Sequence, residues 1–229
     1  MNWETGQFVV DSYDEIDGGL DFYAPQTCQG PNGERYMVAW MQMWQRSIPS
    51  HDLGHGWAGS MTVPRKLGLR DGRLVQELPE SVNDHFLVEN APETIVKGNQ
   101  ITIPDRGKQT LFEIGAKSGR SFILSYGNES DADSALQLIY DASNKRFSLS
   151  RDQFGHFISG KESPEIQSRW IQLDGEKDHH FSILRDTNSI EVFVDGKTLS
   201  MTFYETTENP IYTFKADEGV DLVVKTYQK

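Results

Sequence analysis

Residues 189–197 read Ser-Ile-Glu-Val-Phe-Val-Asp-Gly-Lys, and this stretch decides the fold class. On an extended strand, side chains alternate between the two faces, so Ile190, Val192 and Val194 point one way and the glutamate and phenylalanine between them point the other way. The Asp-Gly pair that follows is typical of a two-residue hairpin turn. The stretch therefore predicts one β-strand and the start of the next.

The same pattern recurs along the whole chain. Runs rich in Val, Ile, Phe, Tyr and Thr return about every 10 residues and are broken by Gly, Asn, Asp and Ser, as in sandwiches, barrels and propellers. The sequence predicts an all-β protein, with one short helix over residues 80–86. The predicted strands cover residues 20–25, 35–43, 60–63, 74–78, 100–103, 109–116, 122–127, 135–141, 146–151, 180–185, 189–194, 199–203 and 220–227.

A change of pattern near residues 79–92 predicts two domains, 1–84 and 85–229. The first part is rich in Trp, Met and Gly, and the second has regular short strands with polar turns. The first part offers only about four strands, and an isolated sheet of this kind leaves two faces and two edges open. We expect it to pack on the second part or to be one unit of a larger assembly, and we expect a homo-oligomer through the exposed edge or the second domain.

The charge composition argues against two classes of partner. The 229 residues include 22 Lys and Arg against 34 Asp and Glu, for a net charge of -12. Such an acidic surface repels phosphate backbones and anionic lipid, so neither nucleic acid nor a membrane is an expected partner. The single cysteine, Cys28, cannot form an intrachain disulfide, which fits a reducing compartment and a cytoplasmic protein. No motif predicts a metal site or a cofactor.

Aromatic residues and carboxylates crowd the first domain. Trp40, Trp44 and Trp57 fall within 18 residues and follow the acidic stretch 17–26. Sugar rings present C–H faces that pack on aromatic planes, and carboxylates accept their hydroxyl hydrogens. This crowding indicates carbohydrate recognition, although large aromatic residues also build hydrophobic cores.

Four stretches together resemble a known family. They are DGGLDFYAPQ at 17–26, WMQMW at 40–44, GWAGSMTVPRKL at 56–67 and LRDTNSIEVFVDGK at 184–197. In this order and spacing they resemble the C-terminal sequence blocks of glycoside hydrolase family 32, the β-fructofuranosidases. The resemblance implies a five-bladed β-propeller followed by a β-sandwich, with residues 1–84 as the last blade and residues 85–229 as the sandwich.

The resemblance also implies a retaining hydrolase of sucrose, sucrose 6-phosphate or fructans, with a fructose-containing saccharide as its partner. The family places its nucleophile in an Asn-Asp-Pro-Asn block, its transition-state stabiliser in an Arg-Asp-Pro block and its acid/base in a Glu-Cys block, and this sequence contains none of them. Retaining hydrolysis needs two carboxyl groups about 5–5.5 Å apart. We therefore expect a C-terminal piece that has no glycosidase activity by itself.

Four residues remain as candidates for saccharide binding. Trp44 matches the family position whose indole lines the sugar pocket. Trp40 lies four residues earlier, so on a strand the two would share a face. Asp21 and Tyr23 are predicted to share one face at the start of the innermost strand, beside a central cavity. Asp17 is predicted to be a turn carboxylate, and no residue of this chain is predicted to be catalytic.

Two other functions stay open on the sequence. The chain could be a stand-alone, lectin-like protein that binds fructans or other carbohydrates. It could also be a structural module whose sandwich serves as a surface for assembly. Titration with saccharides separates the first from the second, and sedimentation tests the second.

Overall fold

The computed structural model describes residues 2–10, 12–86, 94–96, 100–105, 109–128, 134–160, 166–173 and 176–227. Over these residues the chain forms sixteen strands and two short helices. The first part contains β1 Tyr23–Gln29, β2 Arg35–Trp40, α1 Pro49–Asp52, β3 Arg65–Arg70, β4 Arg73–Glu77 and α2 Glu80–Phe86. The second part contains β5 Thr94–Val96, β6 Gln100–Pro104, β7 Gln109–Ala116, β8 Phe122–Gly127, β9 Leu136–Asp141, β10 Arg146–Ser150, β11 Ser168–Gln172, β12 His179–Asp186, β13 Ser189–Val194, β14 Lys197–Thr202, β15 Ile211–Ala216 and β16 Val220–Tyr227.

The strands form three antiparallel sheets, which confirms the all-β prediction. The first sheet has four strands in the chain order β1-β2-β3-β4. The other two have six strands each, in the orders β11-β10-β9-β8-β15-β6 and β14-β13-β12-β7-β16-β5. Two-residue turns join β3 to β4 and β13 to β14. Asp71 and Gly72 in the first turn both have positive φ, as do Asp195 and Gly196 in the second. Two consecutive positive φ values match the right-handed twist of the flanking strands.

The two six-stranded sheets face each other and enclose the main hydrophobic core. In β9, Leu136, Leu138 and Tyr140 are buried while the residues between them are half-buried, as alternation requires. Phe122 and Phe181 meet across the two sheets with ring centroids 5.0 Å apart in an edge-to-face arrangement. Burial of these large apolar side chains is the principal stabilising term of the sandwich.

The strand β13 is buried on both faces. Ile190, Val192 and Val194 belong to the core between the two sheets, as the alternation predicts. Glu191 and Phe193 point to the opposite side, where both contact Arg65 of the four-stranded sheet. The second face of this strand is thus covered by the first part of the chain, which explains why all six of its residues are buried.

The segment that precedes β1 runs against β14. The amide of Gly18 donates to the carbonyl of Thr198 over 2.8 Å, and the amide of Leu20 donates to the carbonyl of Ser200 over 2.9 Å. A Cβ atom on Gly19 would lie 2.0 Å from the Ser200 carbonyl oxygen. Only glycine permits this approach of two backbones.

The predicted elements are reproduced unevenly. Strands β7, β8, β13 and β16 and helix α2 have their predicted bounds, whereas β3, β5, β11, β15 and the four-residue α1 were not predicted. The predicted strand 20–25 begins only at Tyr23, because Leu20 and Asp21 bond to Ser200 instead of to a neighbouring strand of their own sheet. The predicted strand 60–63 is reduced to one bridge between Met61 and Trp40.

The predicted division after residue 84 falls inside α2, and residues 87–92 of the predicted junction lie outside the described residues. Within the described part of the chain, neither helix has the length and hydropathy that a bilayer-spanning helix requires.

One ion pair on the sandwich predicts a pH dependence of stability. His180 Nε2 lies 2.8 Å from Glu113 Oε2, and this hydrogen bond raises the pKa of His180 above its ordinary value of 6.5, against smaller opposing effects of partial burial and of Lys225. Because the folded state holds the proton more tightly, this contribution is present below about pH 6.5 and is lost as the pH rises through the raised pKa.

We expect His180→Gln to lower the thermal midpoint at the acidic end of this window and to have little effect at its alkaline end. Thermal denaturation of the wild type and the variant from about pH 5 to pH 9 measures this. Glu113→Gln should abolish the same dependence. A constant difference between wild type and variant over the whole range would contradict the assignment.

Candidate functional site

Three aromatic side chains of the four-stranded sheet contact one another. Tyr23 at the start of β1 pairs in register with Trp40 at the end of β2, and their ring centroids lie 6.2 Å apart. Trp44 lies 6.2 Å from Tyr23 and 5.8 Å from Trp40. All three pairs are edge-to-face, an arrangement that contributes about 0.5–1.5 kcal/mol per pair beyond area burial. The structure thus brings together three of the four predicted site residues.

The aromatic cluster formed by Tyr23, Trp40 and Trp44 has an open side. The side chain of Trp44 is 63% exposed and that of Tyr23 is 37% exposed, whereas Trp40 is half-buried beneath them. A Cβ atom on Gly59 would lie 2.8 Å from Trp40 Nε1, so the segment before Met61 packs closely against the Trp40 indole. An exposed indole supported from below offers an apolar plane with polar groups at its rim, which suits the C–H face of a sugar ring.

Trp44 reaches the cluster by a route that differs from the predicted one. The prediction placed Trp40 and Trp44 on one strand face, but β2 ends at Trp40. The chain then turns, and Gln45 adopts a positive φ of 63°. Trp44 therefore belongs to a turn, and its position depends on what holds the residues on each side of it.

Asp21 does not lie on the aromatic surface. Its carboxylate is 1% exposed and accepts hydrogen bonds from the guanidinium groups of Arg46 and Arg151 and from the backbone amide and hydroxyl of Thr202. The predicted common face for Asp21 and Tyr23 is therefore wrong, because the strand begins only after Asp21. We call the group formed by Asp21, Arg46, Arg151 and Thr202 the Arg151 cluster.

A second buried group, the Arg65 cluster, joins the four-stranded sheet to β13 and β14. The Arg65 guanidinium donates to Asp17 and Glu191 over 2.8 Å each, and also to Thr198 and Ser200. Asp17 was predicted to be a turn carboxylate, and it does accept the amide of Gly19 over 2.7 Å. It is also half of a buried ion pair, which the turn pattern did not reveal.

Burial changes the pKa of one carboxyl group in the Arg65 cluster, that of Glu191. Glu191 is removed from water, which raises the pKa of its carboxyl, and the nearby Arg65 partly offsets this. Glu191 also accepts the amide of Val63 over 2.7 Å. The carboxylate therefore stays paired on every side and serves to bind the two parts of the chain together.

His51 and His55 lie four residues apart, a spacing that on a helix can bind a metal ion. His51 and His55 are exposed in the segment that contains α1, and the ring of His55 contacts Trp57 with centroids 5.7 Å apart. Among the described residues, no group of three or more His, Cys, Asp or Glu side chains is arranged to hold a metal ion.

Family comparisons agree with this architecture. Residues 1–78 match the N-terminal domain of glycosyl hydrolases family 32, and residues 77–228 match the C-terminal domain of the same family. The chain belongs to glycoside hydrolase family 32. The family membership predicted from the four sequence blocks is confirmed.

Individual family 32 relatives cover most of the chain. Sucrose-6-phosphate hydrolase of Escherichia coli is 29% identical over 95% of the chain and 44% of its own length, and raffinose invertase of Escherichia coli is 30% identical with the same coverage. The chain thus spans less than half the length of these curated relatives. The family 32 β-fructofuranosidase of Bombyx mori has the same fold, with a TM-score of 0.77, 18% identity, and coverage of 100% of the chain and 45% of its own. A variant of that enzyme was solved in complex with sucrose.

Proposed function

We propose that this chain forms the C-terminal part of a retaining β-fructofuranosidase and supplies an aromatic wall to its fructosyl-binding site. The observation that carries the proposal is the exposed indole of Trp44, held by Tyr23 and Trp40 in a family 32 chain. The names of the relatives support sucrose and sucrose 6-phosphate as substrates, and fructans enter from the resemblance of the four sequence blocks. Residues 1–84 would be a propeller blade and residues 85–229 the sandwich.

We further propose that the chain does not cleave glycosides by itself. Asp21, the carboxylate nearest in sequence to the aromatic cluster, is held by two guanidinium groups and is shielded from water. A carboxylate in that state can neither attack an anomeric carbon nor deliver a proton to a leaving oxygen. The aromatic cluster can bind a sugar ring, but binding alone supplies no route through a covalent intermediate.

The first test is an activity measurement. We expect the purified chain, incubated with sucrose, sucrose 6-phosphate or short fructans, to release no fructose above a buffer blank. Reducing-sugar or enzymatic fructose detection measures this. Release of fructose at the rate of a complete family 32 enzyme would refute the proposed inactivity.

The exposure of the aromatic cluster also favours a second function, that of a stand-alone carbohydrate-binding protein. We expect calorimetric titration with fructose and short fructans to show affinity on the order of millimolar, lost in Trp44→Ala. Trp170→Ala is the matched control, because Trp170 is also an exposed tryptophan but stacks on Arg146 of the sandwich at 4.0 Å. Equal loss of binding in both variants would argue against the aromatic cluster as the site.

The outer edge of the four-stranded sheet is a second surface that needs a partner. Strand β1 is the edge strand and almost all of its residues are exposed. The preceding segment 2–10 exposes Trp3 and Phe8. Exposed strand edges pair readily, so we propose that this surface associates with further family 32 structure or with a second copy of the chain. Sedimentation at increasing concentration measures the self-association, and a monomer throughout would exclude the second copy.

A further inference from the structure

We infer that the sandwich positions Trp44: the sandwich residues Ser159, Gly160 and Arg151 hold the turn 44–47 through two separate sets of bonds. This inference rests on the proposed function of the aromatic cluster and assigns positioning roles to Arg46 and Asp21. In this inference, Arg46 and Asp21 do not contact the saccharide and affect its binding through the position of Trp44.

The first set of bonds runs through the backbone. Arg46 and Gly160 form an antiparallel bridge, and the Ser47 amide donates to the Ser159 carbonyl over 2.8 Å. In addition, the Ser159 amide donates a hydrogen bond to Ser47 Oγ over 3.0 Å. A Cβ atom on Gly160 would lie 2.8 Å from Arg46 Cγ, so the two segments are in close contact. The chain two residues after Trp44 is thus attached to the sandwich.

The second set runs through the Arg151 cluster. Arg46 donates to Asp21 Oδ1 over 3.1 Å and to the Leu20 carbonyl over 3.2 Å. The other oxygen of Asp21 is held by Arg151, which follows β10, and by Thr202 at the end of β14. Arg151 is itself fixed by Gln167 Oε1 over 2.8 Å. The Arg46 side chain therefore ends on a carboxylate that the sandwich holds on its far side.

These contacts matter because the edge contacts of the Trp44 ring with Tyr23 and Trp40 do not fix the backbone of its turn. Its side chain is mostly exposed, and the residue after it has positive φ. On the preceding side, Met41 and Gln42 are buried after the end of β2, and Gln42 Nε2 donates to the Ser47 carbonyl over 3.0 Å. On the following side the first anchors are Arg46 and Ser47, and both are fixed by the sandwich. Separating a buried charge pair leaves an uncompensated charge, so the Arg46–Asp21 contact resists displacement, which suits a positioning role.

The Arg65 cluster offers a matched control. It also joins the four-stranded sheet to the sandwich through a buried guanidinium and two carboxylates, but none of its members touches the turn 44–47. If the sandwich acted only as a stabilising partner, damage to either cluster would have the same effect on the aromatic cluster. If the sandwich positions Trp44, only damage to the Arg151 cluster disturbs it.

The experiment uses the full chain and compares Asp21→Asn with Glu191→Gln. The readout is the circular dichroism couplet of Trp40 and Trp44, defined as the signal that Trp44→Phe removes, together with urea denaturation. We expect Asp21→Asn to lose at least half of the couplet and to weaken fructose binding about tenfold, since small displacements of a positioned group have large effects. Glu191→Gln should lose comparable stability and retain both signals.

Two further variants cover the case in which Asp21→Asn fails to fold. Arg46→Gln should lose the couplet, and Arg46→Lys, which keeps a cation beside Asp21, should recover part of it. Equal couplets in the wild type, Arg46→Gln and Glu191→Gln would overturn the inference. The couplet is measured without saccharide, so the two proposals can fail separately. If the variants change the couplet as expected but the wild type binds no fructose, the proposed function is refuted and the positioning of Trp44 stands.

Discussion

Arg65→Ala is expected to lower the free energy of unfolding by about 3–5 kcal/mol, because it leaves two buried carboxylates without their cation. Asp17 and Glu191 both bond to the guanidinium over 2.8 Å, and all three side chains are almost entirely shielded from water. The ring centroids of Phe22 and Phe193 lie 4.9 and 5.7 Å from the guanidinium carbon, so the variant also loses packing against both rings. Urea denaturation at neutral pH measures the loss.

Arg70→Ala is the matched control for this experiment. Arg70 lies on the same strand, but its side chain is 62% exposed and its partner Glu77 is 3.5 Å away on the surface. Exposed pairs of this kind contribute at most about 1 kcal/mol. A loss in Arg65→Ala no larger than that in Arg70→Ala would contradict the assignment of the Arg65 cluster.

The cost of Arg65→Ala should also depend on pH. Arg65 is the principal group that lowers the pKa of Glu191, against the burial that raises it. Without Arg65 that pKa rises further, so the folded variant binds a proton that the unfolded chain has released. The variant therefore loses stability as the pH rises above the ordinary carboxyl range, and its deficit relative to wild type should shrink near pH 4.

Alternation along single strands was sufficient to predict much of the sandwich. In β13 the period of two assigned Ile190, Val192 and Val194 to the core, and the structure agrees. Among the strands that were missed, β15 reads Ile-Tyr-Thr-Phe-Lys-Ala and alternates well enough to be found locally, whereas β3 has a weaker pattern. In β3 arginines stand at both ends and Gly68 in the middle, so only two leucines indicate a strand. These residues form a strand because β2 and β4 pair with it on both sides, which is information that no local window contains.

The roles of the carboxylates could not be predicted from sequence. Asp17 and Asp21 stand beside aromatic residues, where a sugar ligand and a buried ion pair give the same local pattern. Their partners lie far along the chain: Arg65 is 48 residues from Asp17, and Arg151 is 130 residues from Asp21. Buried guanidinium groups with such distant partners become visible only when the four-stranded sheet is docked on the sandwich.

Gly19→Ala should be among the most damaging substitutions in this chain, and it tests the same docking through the backbone. The new Cβ would lie 2.0 Å from the carbonyl oxygen and 2.3 Å from the nitrogen of Ser200, and no side-chain rotation relieves overlap with backbone atoms. The segment would have to move away from β14, which breaks the bonds from Leu20 and Asp21 to Ser200. We expect a loss of more than about 3 kcal/mol in the free energy of unfolding, or failure to fold.

Gly115→Ala is the control, since its Cβ would meet nothing within 4 Å. Alanine is favoured over glycine within a strand, so the stability of this variant should equal or exceed that of the wild type. Urea denaturation of both variants measures the contrast, and a Gly19→Ala protein as stable as Gly115→Ala would show that residues 17–21 do not lie against β14.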